Sequence, residues 1–186
     1  MAVPTDVTSE RDVANLFERA VSCYGSVDIL VNNAGTAVSK PTDELSLDEW
    51  QSVLDVNLTG VFLCSREALR IMKKQRNGRI INVGSISARV PRNNSAAYAT
   101  SKSGLEGLTR SLALDARNFG IAVSVIHPGN TRTSFWERRE EILDREGFMV
   151  PSDVAQIIVT LLSLPDGINL FESFLIPISQ PFLGRG

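Results

Sequence analysis

Alternation is what most constrains this chain. Short runs of β-branched and aliphatic residues, "VDILVNNAG" at 27–35, "RIINVGS" at 79–85 and "IAVSVIHPG" at 121–129, each end in the Asn, Gly, Ser or Pro-Gly that stops a strand. A fourth, "NLFESFLIP" at 169–177, alternates well enough for a final strand. The segments between them carry helical spacing. Val13, Phe17, Ala20, Val21 and Tyr24 recur on one face after Ser9, with Gly25 as the stop, and "SLDE" at 46–49 has the form of a capping box. Further helices are predicted over roughly 95–118 and after Pro151. Strands separated by helices give a parallel sheet covered on both faces, so the expected fold is α/β and doubly wound. No repeat or linker composition divides residues 1–186, which predicts a single domain with its ligand at the strands' carboxyl ends.

Charge narrows the partner. A formal net charge of -2, with both signs spread along the chain, speaks against nucleic acid and anionic membranes and points to a small molecule. The most apolar uncharged run, Val154 to Leu164, is too short to span a bilayer, and the N-terminus has no signal-like pattern, so a cytoplasmic location is expected. Cys23 and Cys64 stand alone in helical patterns and read as packed, reduced thiols. His127 is the only histidine, so a His-rich metal centre is not expected and no metal site is predicted. A Ser-His-Asp hydrolase would depend wholly on His127, and "GSIS" around Ser85 is not the G-x-S-x-G elbow. His127 reads instead as filling the position before a Pro-Gly turn.

Chemistry concentrates in "SAAYATSKSGLEG" at 95–107, which sets Tyr98 four residues before Lys102. With two tyrosines and four lysines in the chain, chance gives roughly 0.04 such pairs. Residues four apart share a helix face about 5–6 Å apart, so the Lys102 ammonium can favour an ionised Tyr98. A phenol titrating near 10 is a poor proton donor or acceptor at pH 7, and lowering it by ~3 units takes about 4 kcal/mol, much of which a partly desolvated Lys can supply. Ser85 ends a strand thirteen residues earlier and "NNAG" ends the strand before that, so these polar groups converge at one rim of the sheet.

"NNAG" at 32–35, the Asn of "VNLTG" at 57, Ser85, "YATSK" at 98–102 and "PGNTRT" at 128–133 resemble, in order, the motifs of the short-chain dehydrogenase/reductase family. The resemblance implies a Rossmann-like fold and hydride transfer between NAD or NADP and a carbonyl or alcohol. It makes Tyr98 the general acid/base, Ser85 the holder of the substrate oxygen, Lys102 the group that tunes Tyr98 and grips the nicotinamide ribose, and Asn57 the holder of a relay water. It places Asp6 and Val7 on the adenine side, Asn33, Ala34 and Gly35 along the adenosine ribose, and Pro128, Gly129, Thr131 and Thr133 beside the nicotinamide. Thr131 departs from the family's more usual Val or Ile. Simpler readings stand beside these: Asn57 satisfying a helix bend, Ser85 capping a strand end, "NNAG" stitching neighbouring strands.

The glycine-rich turn that opens such a fold has no counterpart, since Gly104 and Gly107 form only a GxxG within a helix. "MAVPTDV" reads as the end of a mid-domain strand, so the fold is expected to be N-terminally incomplete, with residues 1–4 as its third strand and "DILVN" as an exposed apolar edge. The expectation therefore divides between an oxidoreductase and an inactive piece that associates through its helices. The residue separating NAD from NADP ends the second strand of such folds, so both cofactors stay open. Gly104 and Gly107 cost about 1 kcal/mol each relative to Ala, and with Ala97, Ser101 and Ser111 they form a small-residue face suited to close helix contact. The resemblance implies a homo-oligomer, dimer or tetramer, through helices near 48–74 and 95–118. Residues 134–150, including Phe135 and Trp136, are expected to form a substrate lid.

Overall fold

A computed structural model describes residues 1–133 and 140–182. Four parallel strands, β1 (Ile29–Asn32), β2 (Gly78–Val83), β3 (Ile121–Pro128) and β4 (Glu172–Leu175), pair in the order β1-β2-β3-β4. Their register runs Asn32 against Asn82, Asn82 against Val125 and His127 against Phe174. The expected doubly wound parallel sheet is thus present, and its connections are helical.

Local signals set the helices. α1 (Glu10–Tyr24) starts where the Ser9 hydroxyl accepts from the Asp12 amide and stops at Gly25, whose φ of 81° is left-handed. α2 (Leu47–Leu54) opens on the Ser46–Glu49 capping box. It runs through a π-helical stretch, Asp55–Thr59, into α3 (Gly60–Gln75). α4 (Ala96–Ala116) returns to β3, and α5 (Glu140–Glu146) and α6 (Pro151–Leu162) precede β4. Val150, just ahead of α6, donates its amide to the Asp153 carboxylate at 2.8 Å.

Alternating strand residues divide the core. Ile80, Ile121 and Val123 face Val13 and Phe17 of α1, Leu63, Ala68 and Met72 of α3 and Leu112 of α4. Ile81 and Ile126 face the other way, against Leu161 of α6. At roughly 1.5–3 kcal/mol for each fully buried aliphatic chain, this double layer holds the sheet's carboxyl ends in place.

Two expectations change here. Residues 1–4 are not a strand, because a strand exists only against a partner and none pairs with them. Cys23 is exposed on the outer side of α1, whereas Cys64 is packed in the core. β1 is the edge strand, with Ile29 48% exposed, as the sequence led us to expect. Among the described residues, no helix is long and apolar enough to cross a membrane.

Candidate active site

Every strand carries its chain toward one rim, and a cavity of about 1030 Å³ opens there. Ser85, Tyr98 and Lys102 line it together, with Asn33, Gly35, Pro128, Gly129, Thr131 and Thr133. Asp6, Val7, Ala34 and Asn57 are not among its lining residues. Asp6 is exposed, and its carboxylate accepts from the Thr8 amide at 2.9 Å and the Thr8 hydroxyl at 2.8 Å, which lowers its pKa. Val7 packs on α3 so closely that a Cβ at Gly60 would lie 2.9 Å from its Cγ2.

Ser85 follows the end of β2, where its hydroxyl accepts from the Ser87 amide at 3.1 Å and caps a 3₁₀ turn, Ile86–Ala88. The capping reading and the site reading are thus the same geometry. Tyr98 lies in the first turn of α4, hydrogen-bonded to the Ser85 side chain. Lys102 follows one turn on, 5% exposed, and donates to the Val83 carbonyl at 2.8 Å.

Burial dominates the electrostatics. It pushes the Tyr98 phenol above its ordinary value, against a smaller downward pull from the Ser85 hydrogen bond. It also pushes Lys102 down to about 8. Burial thus sets the direction at Tyr98, and the downward pull on the phenol comes from Ser85. Lys102 Nζ lies 5.7 Å from the Tyr98 ring centroid, and its one hydrogen bond among the described residues goes to the strand.

The π-helical stretch turns Asn57 inward, fully buried. Its Oδ1 accepts from the Thr36 amide at 2.8 Å, and its Nδ2 donates to the Thr36 carbonyl at 2.9 Å and the Ser101 hydroxyl at 3.0 Å. Asn57 thus ties the loop after β1 to α4, its side-chain bonds going to Thr36 and Ser101 rather than to the backbone of the bend that presents it. A Cβ at Gly35 would lie 3.5 Å from Asn57 Oδ1 and 3.9 Å from Lys102 Nζ, so a bare backbone there lets a ligand come close to both. Asn32 stitches strands, donating to Asn82 Oδ1 at 2.8 Å and Ser65 Oγ at 3.0 Å.

Sequence reasoning missed the residues that position this rim. Thr36, just past the NNAG motif, and Ser101, inside YATSK, clasp Asn57, a role the sequence reading did not give them. Arg92 lines the cavity and pairs with the buried Glu146 of α5, which also accepts from Asn130 Nδ2 at 3.2 Å. This ties the expected lid's second half to the loop after β3, and Leu143 and Met149 are buried there. Phe135 and Trp136, within 134–139, lie outside the described residues.

Comparisons with known proteins follow the same lines. The family model described as short chain dehydrogenase matches residues 1–143. A cis-4-hydroxycyclohexanecarboxylate dehydrogenase of Sinomonas cyclohexanicum is 45% identical over 132 residues, 70% of this chain and 53% of that protein. The chain thus spans about half the length of that relative. Glucose 1-dehydrogenase 2 of Bacillus subtilis is 35% identical over 174 residues, 88% of this chain and 67% of that protein. Among solved structures, a 3-ketoacyl-(acyl-carrier-protein) reductase from Brucella melitensis, complexed with NADH, superposes with a TM-score of 0.87 at 28% identity, covering 95% of this chain and 76% of that one. With its parallel sheet, its Ser-Tyr-Lys rim and a family match over more than three-quarters of its length, the chain belongs to the short-chain dehydrogenase family of oxidoreductases.

Proposed function

We propose that this chain carries the catalytic half of an NAD(P)-dependent oxidoreductase interconverting a carbonyl and an alcohol. The carrying observation is the hydrogen-bonded pair of Ser85 and Tyr98 on the cavity wall, with the buried Lys102 ammonium one helical turn behind. The donor set suits a nicotinamide dinucleotide. An ammonium has three donors, and Lys102 gives one to Val83, which leaves two for ribose hydroxyls across the bare backbone of Gly35. Asn33, Pro128, Gly129, Thr131 and Thr133 line the remaining wall, and Asp6, Val7 and Ala34 are left the adenosine end. A bound nicotinamide supplies or accepts the hydride.

The chain's own residues handle the proton. Ser85 Oγ holds the substrate oxygen by a hydrogen bond. Tyr98 Oη gives that oxygen a proton in reduction and takes it back in oxidation, and the Lys102 charge stabilises the phenolate formed. Asn57 fixes the Thr36 loop and α4 relative to each other, and in the wet active site it orients a water for the proton's return. Residues 134–150 act as a lid, and the α3 and α4 surfaces as the contact between copies. Gly107 accords with the latter, since its position on α4 is exposed and nothing in the chain lies within 4 Å of an added Cβ.

The test is a pair of measurements on the purified chain and its Tyr98→Phe variant: NADH and NADPH titration by fluorescence, and turnover with a panel of secondary alcohols and ketones. Cofactor binding within a few-fold between the two, with turnover lower by ~10²–10⁴ in the variant, supports the proposal. A variant as active as the parent refutes it, and a chain that binds neither cofactor supports instead the inactive piece that associates through its helices.

A further inference from the structure

Next to Ser85, but outside the proton chemistry proposed for it, three side chains from separate elements converge. His127 of β3 is fully buried and stacks on Phe174 of β4, ring centroids 4.7 Å apart. Its Nδ1 lies 3.0 Å from the Ser85 carbonyl oxygen. A carbonyl only accepts, so Nδ1 carries a proton, and in the neutral ring Nε2 keeps the lone pair. Gly84 permits this approach, since a Cβ there would fall 2.7 Å from Nδ1.

Nε2 has no hydrogen bond among the described residues, yet it faces Glu172 Oε1 at 3.3 Å and Glu106 Oε1 at 3.8 Å. In that neutral tautomer the Nε2 lone pair and the two carboxylates crowd one small volume, which favours a cation among them, a proton on Nε2 or a metal. Arg89 answers the carboxylates alone, its Nε donating to Glu106 at 2.8 Å and a terminal nitrogen donating to Glu172 at 3.0 Å. The guanidinium has nothing to accept with and gives Nε2 no donor.

We propose that Glu106, His127 and Glu172 form a binding site for a divalent transition metal of the zinc class, with Arg89 as the cation that the metal displaces. Zinc takes imidazole nitrogen and carboxylate oxygen at about 2.0–2.2 Å, which places two tetrahedral ligand atoms about 3.4 Å apart. The observed separations of 3.3 and 3.8 Å, and the confinement of all three atoms within 4.8 Å of one another, match that spacing with small turns of the glutamates. The Nδ1–H to carbonyl bond is the outer contact that holds a ligating imidazole in one tautomer. Two carboxylates balance the metal's charge, and Arg89, its side chain 44% exposed, is free to swing into solvent. One histidine suffices here, so the scarcity that spoke against a His-rich centre does not bear on this site.

The test uses the full chain with Zn²⁺ by calorimetry, and the ¹⁵N resonances of its single imidazole. The expected result is one zinc per chain, a shift at Nε2 and not at Nδ1, affinity at least ~10-fold weaker in both Glu172→Gln and Glu106→Gln, and tighter binding in Arg89→Gln. Glu172 and Arg89 are partly exposed, so those variants serve even where a His127 substitution fails to fold. The proposal is overturned if zinc does not bind at millimolar concentration, if Glu172→Gln binds it as tightly as the parent, or if Nε2 does not move. In the last case the ion sits elsewhere, as at the exposed Cys23. None of these readouts depends on Tyr98, so the result stands apart from the oxidoreductase proposal.

Discussion

Replacing Lys102 with Met tests the claim that burial, more than any ion pair, governs this site. The stem stays packed while the charge and the hydrogen bond to Val83 go. Burial takes the ammonium from 10.5 to about 8 in the folded chain, so at about 1.4 kcal/mol per pH unit the fold carries a cost of about 3 kcal/mol for keeping Lys102 charged. The sign follows from proton counts. Below about pH 8 the group is charged in both states and the cost is borne in full. Between about 8 and 10.5 the unfolded chain binds more protons than the folded one, so stability rises with pH until the group is neutral in both. The variant lacks this slope. It has a pH-independent loss instead, about 1–3 kcal/mol for the Val83 carbonyl left without its donor. Urea unfolding followed by tryptophan fluorescence at pH 7, 8, 9 and 10 should show the parent gaining about 2.5 kcal/mol on Lys102→Met across that range. Both chains carry Tyr98→Phe, so that no coupling of Lys102 to the phenol enters, and the remaining titrating groups are common to both and cancel. A difference that stays constant with pH, or falls, would refute the burial argument.

Asn57→Ala removes three hydrogen bonds from a fully buried side chain and should cost about 2–4 kcal/mol in urea unfolding, with cofactor affinity falling because Thr36 loses its tether. The two glycines of α4 should part company in melting temperature. Gly107→Ala, with open space around it, should stabilise by up to about 1 kcal/mol in the monomer, whereas Gly104→Ala sets a Cβ 3.1 Å from Leu58 Cδ2 and should gain nothing or lose. Because burial raises the Tyr98 phenol, turnover should split by direction: reduction uses the protonated form and should hold steady through neutral pH, while oxidation needs the phenolate and should climb with pH into the alkaline range. A flat oxidation profile from pH 7 to 10 would remove Tyr98 as the base.

What the sequence reveals of this chain is whatever is written within a few residues. Ser9, Gly25 and Ser46 cap helices through contacts no more than four residues away, and the strands declare themselves by composition, so element positions were legible. The Tyr98–Lys102 pair is equally local, one turn of one helix. Its energetics are not. Whether Lys102 acidifies Tyr98 depends on how much water each retains, and that is set by β2, α4 and the loop after β1 closing over them, with Lys102 drawn to Val83 nineteen residues away. The charge partner was legible and the desolvation that raises the phenol was not. Residues 1–4 illustrate the same division, since apolar composition permits a strand but only a neighbour makes one. The cluster of Arg89, Glu106, His127 and Glu172 carries it furthest. Its members come from α4, β3, β4 and the end of the 3₁₀ turn, with Arg89 and Glu172 eighty-three positions apart, each unremarkable in its own stretch, and only β3 and β4 lying in register beneath α4 make three acceptors share one small volume. The counter-charge that the two carboxylates have is Arg89, and the imidazole nitrogen it leaves unanswered is the ground for the metal proposed at this cluster.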